Sequence, residues 1–186
     1  MPKLTPPVSQ FVSVDGVRLH YQVVGQDTPR LPIIFTHGGG PGSTAWSNFR
    51  LSAETFATRH RCYFLDFAQF GRSDMVPVHG PLLGWHARKL LGFMDALGLE
   101  RVHLINQSLG GAVALRLAAD SPQRVGRLIS IGAQPVDRGV LQPLPLFSKH
   151  AATLMSDYYL SDGGPSISKM RVLLGRYELH NDELLD

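Results

Sequence analysis

Cysteine is nearly absent from this sequence, Cys62 being the single one among 186 residues. No intrachain disulfide can form, so a disulfide-stapled extracellular scaffold is excluded. Long apolar runs are missing too, and no stretch approaches the roughly 18 uninterrupted residues that a membrane-spanning helix needs. The opening segment Met1–Gln10 carries Pro2, Pro6 and Pro7 and lacks the apolar run of a signal peptide. The expected address is therefore the cytoplasm, with no membrane as partner. Clustered positive charge is absent as well: Lys plus Arg number 18 against 15 Asp plus Glu, and Arg50, Arg88, Arg116 and Arg138 stand singly. Without a basic stripe there is no phosphate-tracking surface, so no nucleic acid is expected as a partner. Neither repeats nor low-complexity tracts are evident.

What is present is the balance of a globular chain, 44% hydrophobic and 18% charged. Phe11–Val14 and Val17–Tyr21 flank Asp15-Gly16, a pair suited to the positive-φ geometry of a tight hairpin. Three short apolar runs follow, Leu31–Thr36, Cys62–Leu65 and Val102–Ile105, each leading into a loop. Ala87, Leu90, Leu91, Met94 and Leu97 have helical spacing, and Gly98 supplies a stop. Strands alternating with helices predict an α/β fold, a mostly parallel sheet with helices on both faces and a ligand site at the carboxyl ends of the strands. A further strand, Arg127–Ile131, ends at Gly132, after which prolines change the texture. The expected division is 1–132 as the core and 133–186 as a helical segment broken by Gly163-Gly164-Pro165.

Two loops carry the chemistry. Val102–Ile105 reads as a strand, Asn106-Gln107-Ser108-Leu109-Gly110-Gly111 as a tight turn and Ala112–Ala119 as a helix. A serine at such an elbow exposes its hydroxyl above the sheet, and the next amide, that of Leu109, points to where an oxyanion forms. The competing reading makes Ser108 a plain helix cap. Directly after Ile33-Ile34-Phe35 comes His37-Gly38-Gly39-Gly40-Pro41-Gly42, whose glycines let the backbone approach a ligand and leave amide donors free. No Gly-Lys-Ser/Thr ending is present for a phosphate loop, and His37 has no second ligand nearby for zinc, so no metal and no cofactor are expected.

These two motifs, with Asp66-Phe67-Ala68-Gln69-Phe70-Gly71-Arg72-Ser73-Asp74, resemble the α/β-hydrolase superfamily. With Trp46-Ser47-Asn48-Phe49 added, the chain looks like the meta-cleavage-product hydrolases, which split 2-hydroxy-6-oxo-hexa-2,4-dienoates in aromatic catabolism. The resemblance runs from about Phe11 to Gly132 and continues toward Asp186, where Asn181-Asp182-Glu183-Leu184-Leu185 is similar to part of the family's helical cap. It implies an α/β-hydrolase fold cut within that cap, Ser108 as nucleophile, and Gly39 and Leu109 as oxyanion-hole amides. It also implies that Gly38, Gly40, Asn48 and Gln107 face a small-molecule substrate, and it is compatible with a homo-oligomeric full-length protein. Asn106-Gln107 stands where the family usually has Gly-Asn, and Gln69 where it has Gly. Asn106 is expected to crowd the elbow, and the longer Gln107 to intrude on the pocket.

The order in this superfamily is Ser, then Asp or Glu, then His. After Ser108 the only histidines are His150 and His180, both in segments that read as cap helices, so the catalytic acid and base are expected beyond Asp186 and the chain alone is expected to be nearly inert. His86 and His103 read as structural. An esterase, an epoxide hydrolase or a proline iminopeptidase shares the scaffold. A catalytically dead hydrolase fold that binds a small molecule or a partner is the alternative from another class.

Overall fold

The structure is a computed structural model that describes residues 6–40, 42–133 and 168–169. The chain divides into two units, Met1–Asp137 and Arg138–Asp186, and the architecture below belongs to the first. The expected cap helices, His150, His180 and 181–185 lie outside the described residues.

Strands β1 (Gln10–Val14) and β2 (Val17–Val24) form the hairpin that the Asp15-Gly16 pair predicts. Both turn residues adopt positive φ, +46° and +76°, the geometry whose twist matches the flanking strands. Then follow β3 (Ile33–Thr36), α1 (Ala45–Ala57), β4 (Cys62–Leu65), α2 (Leu82–Ala96), β5 (Val102–Gln107), α3 (Leu109–Asp120) and β6 (Val125–Ile131). They build one six-stranded sheet in the order β1-β2-β4-β3-β5-β6. The β1–β2 and β2–β4 pairs are antiparallel, and the β4–β3, β3–β5 and β5–β6 pairs parallel. β4 therefore lies on one side of β3 and β5 on the other, the reversal that opens a crevice at the carboxyl ends of parallel strands.

Side-chain alternation explains the continuous apolar runs. Ile33, Phe35, Cys62, Phe64 and Ile105 pack with Ala45, Phe49 and Ala53 of α1 on one face. Ile34, Tyr63, Leu65, Val102 and Leu104 pack with Leu90, Phe93 and Met94 of α2 and with Val113, Ala114 and Leu117 of α3 on the other. Both faces are covered, so these strands need no polar positions. The Cys62 thiol is buried in the first layer, and burial pushes its pKa up to about 12, which leaves it unreactive. Lys89 of α2 reaches across to the hairpin, its Nζ donating to Val14 O at 3.1 Å and to Asp15 Oδ2 at 2.9 Å. At the far end, β6 exposes Ile129 and Ile131 on an edge of the sheet. No described helix is long and apolar enough to cross a membrane.

One core residue breaks the pattern. His86 is fully buried against Phe67 and Trp85, and among the described residues neither ring nitrogen finds a hydrogen-bond partner. Burial, with a smaller contribution from His37, pulls its pKa down to about 4. Between that value and the ordinary 6.5 the unfolded chain binds a proton that the folded chain refuses. Stability is therefore complete above pH 6.5 and falls as pH drops toward 4, by on the order of 3 kcal/mol for this group. His37 and His103, whose pKa values burial also lowers, act in the same direction. His86→Leu is expected to flatten the acid limb of the stability profile and to raise stability at pH 7 by removing two orphaned nitrogens. Urea unfolding of both chains at pH 7 and pH 5 checks this, and an unchanged pH 7 to pH 5 difference would assign the acid sensitivity to other groups.

Candidate active site

The β5–α3 turn is built around one strained residue. Ser108 has φ 48° and ψ −112°, a region that L-residues avoid at a cost of about 1–3 kcal/mol. Its neighbours hold it there. On one side Ser108 N–H donates to Ile131 O of β6 at 2.9 Å, and on the other Gly110 N–H donates to His37 O at 3.1 Å. That close approach of α3 to β3 requires glycine at 110: a Cβ there would lie 2.5 Å from Thr36 Oγ1, 2.7 Å from Thr36 O and 2.8 Å from His37 O. Gly111 is equally confined, since a Cβ would meet Ser130 Oγ at 2.7 Å.

The serine side chain makes no capping bond to α3, which removes the reading of Ser108 as a plain helix cap. Among the described residues no side chain hydrogen-bonds its hydroxyl. The glycine loop lies beside it. A Cβ at Gly38 would stand 3.3 Å from Ser108 Cβ, and one at Gly39 would stand 3.4 Å from Leu109 Cβ and Cδ2. The structure thus brings Ser108, Leu109, Gly38 and Gly39 together, although 69 residues of sequence separate Gly39 from Ser108. Leu109 opens α3, so its amide has no intrahelical acceptor. Gly39 N–H has no partner among the described residues, whereas Gly38 N–H is taken by Asn48 Oδ1 at 3.1 Å. Among the described residues the amides of Gly39 and Leu109, both beside Ser108, are left without an acceptor. Asn48, exposed on α1, braces the glycine loop through that bond. Gly40 lies farther along, its carbonyl accepting Ser43 N–H at 3.1 Å to close a turn. Gln107 folds over the loop, so that any Cβ at Gly38 would overlap its Oε1.

His37 is a second brace. Its Nε2 accepts Phe67 N–H at 3.0 Å, so the proton sits on Nδ1, which donates to Gly38 O at 2.7 Å. Burial lowers its pKa, consistent with that neutral tautomer, and the ring ties the glycine loop to the loop after β4. Neither its burial nor its bonds leave it free to bind metal, and no group of described residues is arranged to hold a metal ion.

Asn106 does not crowd the elbow as its sequence position suggests. Its carboxamide is fully buried, Oδ1 accepting from Thr36 Oγ1 at 2.6 Å and Nδ2 donating to Ile129 O at 3.4 Å. The extra side chain cross-links β3, β5 and β6 beneath the serine. Gln69, where the resemblance leads one to expect glycine, adopts φ +72°, a conformation glycine takes without strain. Its Nε2 donates to Val76 O at 2.9 Å. His103 is structural, its Nδ1 accepting Arg127 N–H at 2.9 Å where the β5–β6 register shifts.

A family model described as alpha/beta hydrolase fold matches residues 32–184. A 2-hydroxy-6-oxononadienedioate/2-hydroxy-6-oxononatrienedioate hydrolase of Paraburkholderia xenovorans is 38% identical over 142 residues, covering 74% of this chain and 48% of the relative. A 2-hydroxy-6-oxo-6-phenylhexa-2,4-dienoate hydrolase of Burkholderia cepacia is 32% identical, covering 95% of this chain and 62% of the relative. The chain thus spans about half to three fifths of the length of these curated relatives. Among solved structures, a meta-cleavage product hydrolase from Pseudomonas fluorescens IP01 superposes with a TM-score of 0.75 at 28% identity, over 95% of this chain and 60% of that one. A 2-hydroxy-6-oxo-6-phenylhexa-2,4-dienoate hydrolase from Rhodococcus gives 0.68 at 25%, over 90% and 58%.

The buried Thr36–Asn106 bond yields a stability test of the elbow's foundation. Thr36→Val leaves the Asn106 oxygen unsatisfied and is expected to destabilise the chain by about 1–3 kcal/mol. Thr36→Ser keeps the hydroxyl and loses less. Urea midpoints of the two variants check the order, and a larger loss in Thr36→Ser than in Thr36→Val would mean that the methyl group, not the bond, matters most at this position.

Proposed function

The chain belongs to the alpha/beta hydrolase fold family, and from that membership we propose that it carries the nucleophile and oxyanion hole of a hydrolase acting on a carbon–carbon bond. The proposed substrates are 2-hydroxy-6-oxo-hexa-2,4-dienoate-type products of aromatic-ring cleavage, the class named in its curated relatives. The observation that carries the reading is Ser108 at φ 48°, its hydroxyl uncommitted and its Cβ against the glycine loop that contributes Gly39.

In the proposed reaction the dienol first ketonises, the proton of its 2-hydroxyl moving to C5. Ser108 Oγ then adds to the C6 carbonyl while a histidine takes its proton. The new oxyanion receives hydrogen bonds from Gly39 and Leu109, with the N-terminal end of α3 adding favourable potential. Breaking the C5–C6 bond leaves the electron pair in a dienolate, which takes up a proton and departs as 2-hydroxypenta-2,4-dienoate. Water releases the acyl group from Ser108 as a carboxylic acid. Gln107, beside Gly38, would set the width of the pocket next to the serine. The histidine and its acid would come from sequence following the described core, in the superfamily order of nucleophile, acid and histidine.

In a full-length protein that supplies that pair, Ser108→Ala is expected to lower kcat by about 10³-fold or more, because only the oxyanion hole and binding remain. Dienoate decay followed by absorbance checks this. Turnover retained by Ser108→Ala would refute the assignment of Ser108 as nucleophile.

A further inference from the structure

A second constellation of nucleophile, base and acid lies outside the Ser108 cluster. Ser9 Oγ is 2.9 Å from His20 Nε2, and His20 Nδ1 is 2.8 Å from Asp66 Oδ2. The other carboxylate oxygen of Asp66 accepts Ala45 N–H, the first amide of α1, at 2.9 Å. Gly71, at φ +56°, packs so tightly on Asp66 that a Cβ there would overlap Oδ2. The carboxylate is thus fixed, and it in turn fixes the ring. Ser73 secures the same corner, its Oγ accepting His20 N–H at 2.8 Å and donating to Asp66 O at 2.8 Å. Arg72 Nη1 donates to Ser9 Oγ at 3.0 Å, so a guanidinium stands next to the hydroxyl oxygen and favours its alkoxide.

The hydrogen-bond accounting has a simple solution. Asp66 accepts from Nδ1–H, Ser9 accepts from Arg72, and the Ser9 proton points at the free Nε2. That is the arrangement by which a base oriented by a third group activates a hydroxyl, recognised by geometry and not by sequence position. Ser9 is partly exposed and lines an open cleft of about 400 Å³ together with His20, Asp66, Arg72, Gln22 and Trp46. None of its lining residues belongs to the Ser108 cluster.

We propose that Ser9, His20 and Asp66 form a second acyl-transfer site that accepts short-chain carboxylic esters. Ser9 Oγ attacks the ester carbonyl and His20 Nε2 takes the serine proton. The tetrahedral oxyanion is neutralised by Arg72. The bond to the alcohol oxygen breaks and Nε2 returns the proton to it, so the alcohol leaves and Ser9 is acylated. Water, deprotonated by the same ring, releases the carboxylic acid and restores Ser9. Ser9 and His20 are the catalytic residues, and Asp66 is a positioning residue. The apolar walls from Pro6, Pro7 and Trp46 suit the short acyl chain.

Diisopropyl fluorophosphate applied to the 186-residue chain, with peptide mapping by mass spectrometry, tests the site. The expected result is a phosphoryl adduct on Ser9 that forms in Ser108→Ala, is missing in Ser9→Ala, and forms at least about 10²-fold more slowly in His20→Gln, the usual size of a general-base contribution. p-Nitrophenyl acetate should give a nitrophenolate burst with the same dependence on Ser9. Asp66 is tested through the split between binding and chemistry: Asp66→Asn should lower the limiting rate of adduct formation while leaving the inhibitor concentration for half-maximal rate unchanged, a split that a merely structural carboxylate would not give. Because His20 and Asp66 are buried, the surface variant Ser9→Ala decides the matter if those variants fail to fold. An unmodified Ser9, an adduct confined to Ser108, or a Ser9 adduct whose rate ignores His20 in a folded variant would overturn the proposal.

Discussion

The candidate site depends on the backbone of one residue. Ser108 can hold φ 48° and ψ −112° only because hydrogen bonds from both sides leave it no alternative, Ile131 accepting its amide and His37 accepting that of Gly110. Strain of this size persists where the surroundings over-determine it. Here they are three adjacent parallel strands whose spacing is fixed by two packed layers. The absent Cβ of Gly110 lets α3 sit on the carbonyls of Thr36 and His37, and the Thr36–Asn106–Ile129 cross-link keeps those strands in register below the turn.

From that constraint the rest of the site follows by contact. Holding α3 against β3 brings the Leu109 amide beside the glycine loop. Asn48 takes the Gly38 amide and His37 takes the Gly38 carbonyl, so the peptide on either side of Gly38 is fixed and the next amide, that of Gly39, is left over. In the proposed oxyanion hole these backbone donors would need no reorganisation as charge develops, which is where such sites gain their advantage over water. The Phe67 amide at Nε2 holds His37 in the tautomer that donates to Gly38 O, and burial, which lowers the ring's pKa, favours that neutral form.

The core strands and the elbow were legible in sequence because their signals are local. Asp15-Gly16, the apolar runs, Gly98 and the strand-serine-helix passage each declare themselves within a few residues, and the parallel sheet follows from their alternation. Helix α1 was not evident, since Ala45, Phe49 and Ala53 form a thin apolar stripe among polar residues. Its one clear sign was the reciprocal capping of Thr44 and Ser47. What sequence could not give are pairings between distant positions. Asn106 read as a misfit because its partner Thr36 lies 70 residues away, and His20 went unread because Asp66 is 46 residues distant. The bond between Asn48 and Gly38 spans only 10 residues, yet it depends on how α1 is placed. Gln69 shows the reverse case, a departure from the expected glycine that does carry left-handed strain.

We propose that the amides of Gly39 and Leu109, and not that of Gly38, form an oxyanion hole beside Ser108. Titration of the chain with a small carboxylate such as benzoate, followed by amide proton and nitrogen NMR shifts, tests it most directly. The Gly39 and Leu109 resonances are expected to move together with one saturation curve while Gly38, already bonded to Asn48, stays in place. Movement of Gly38 instead of Gly39, or independent curves for Gly39 and Leu109, would contradict it.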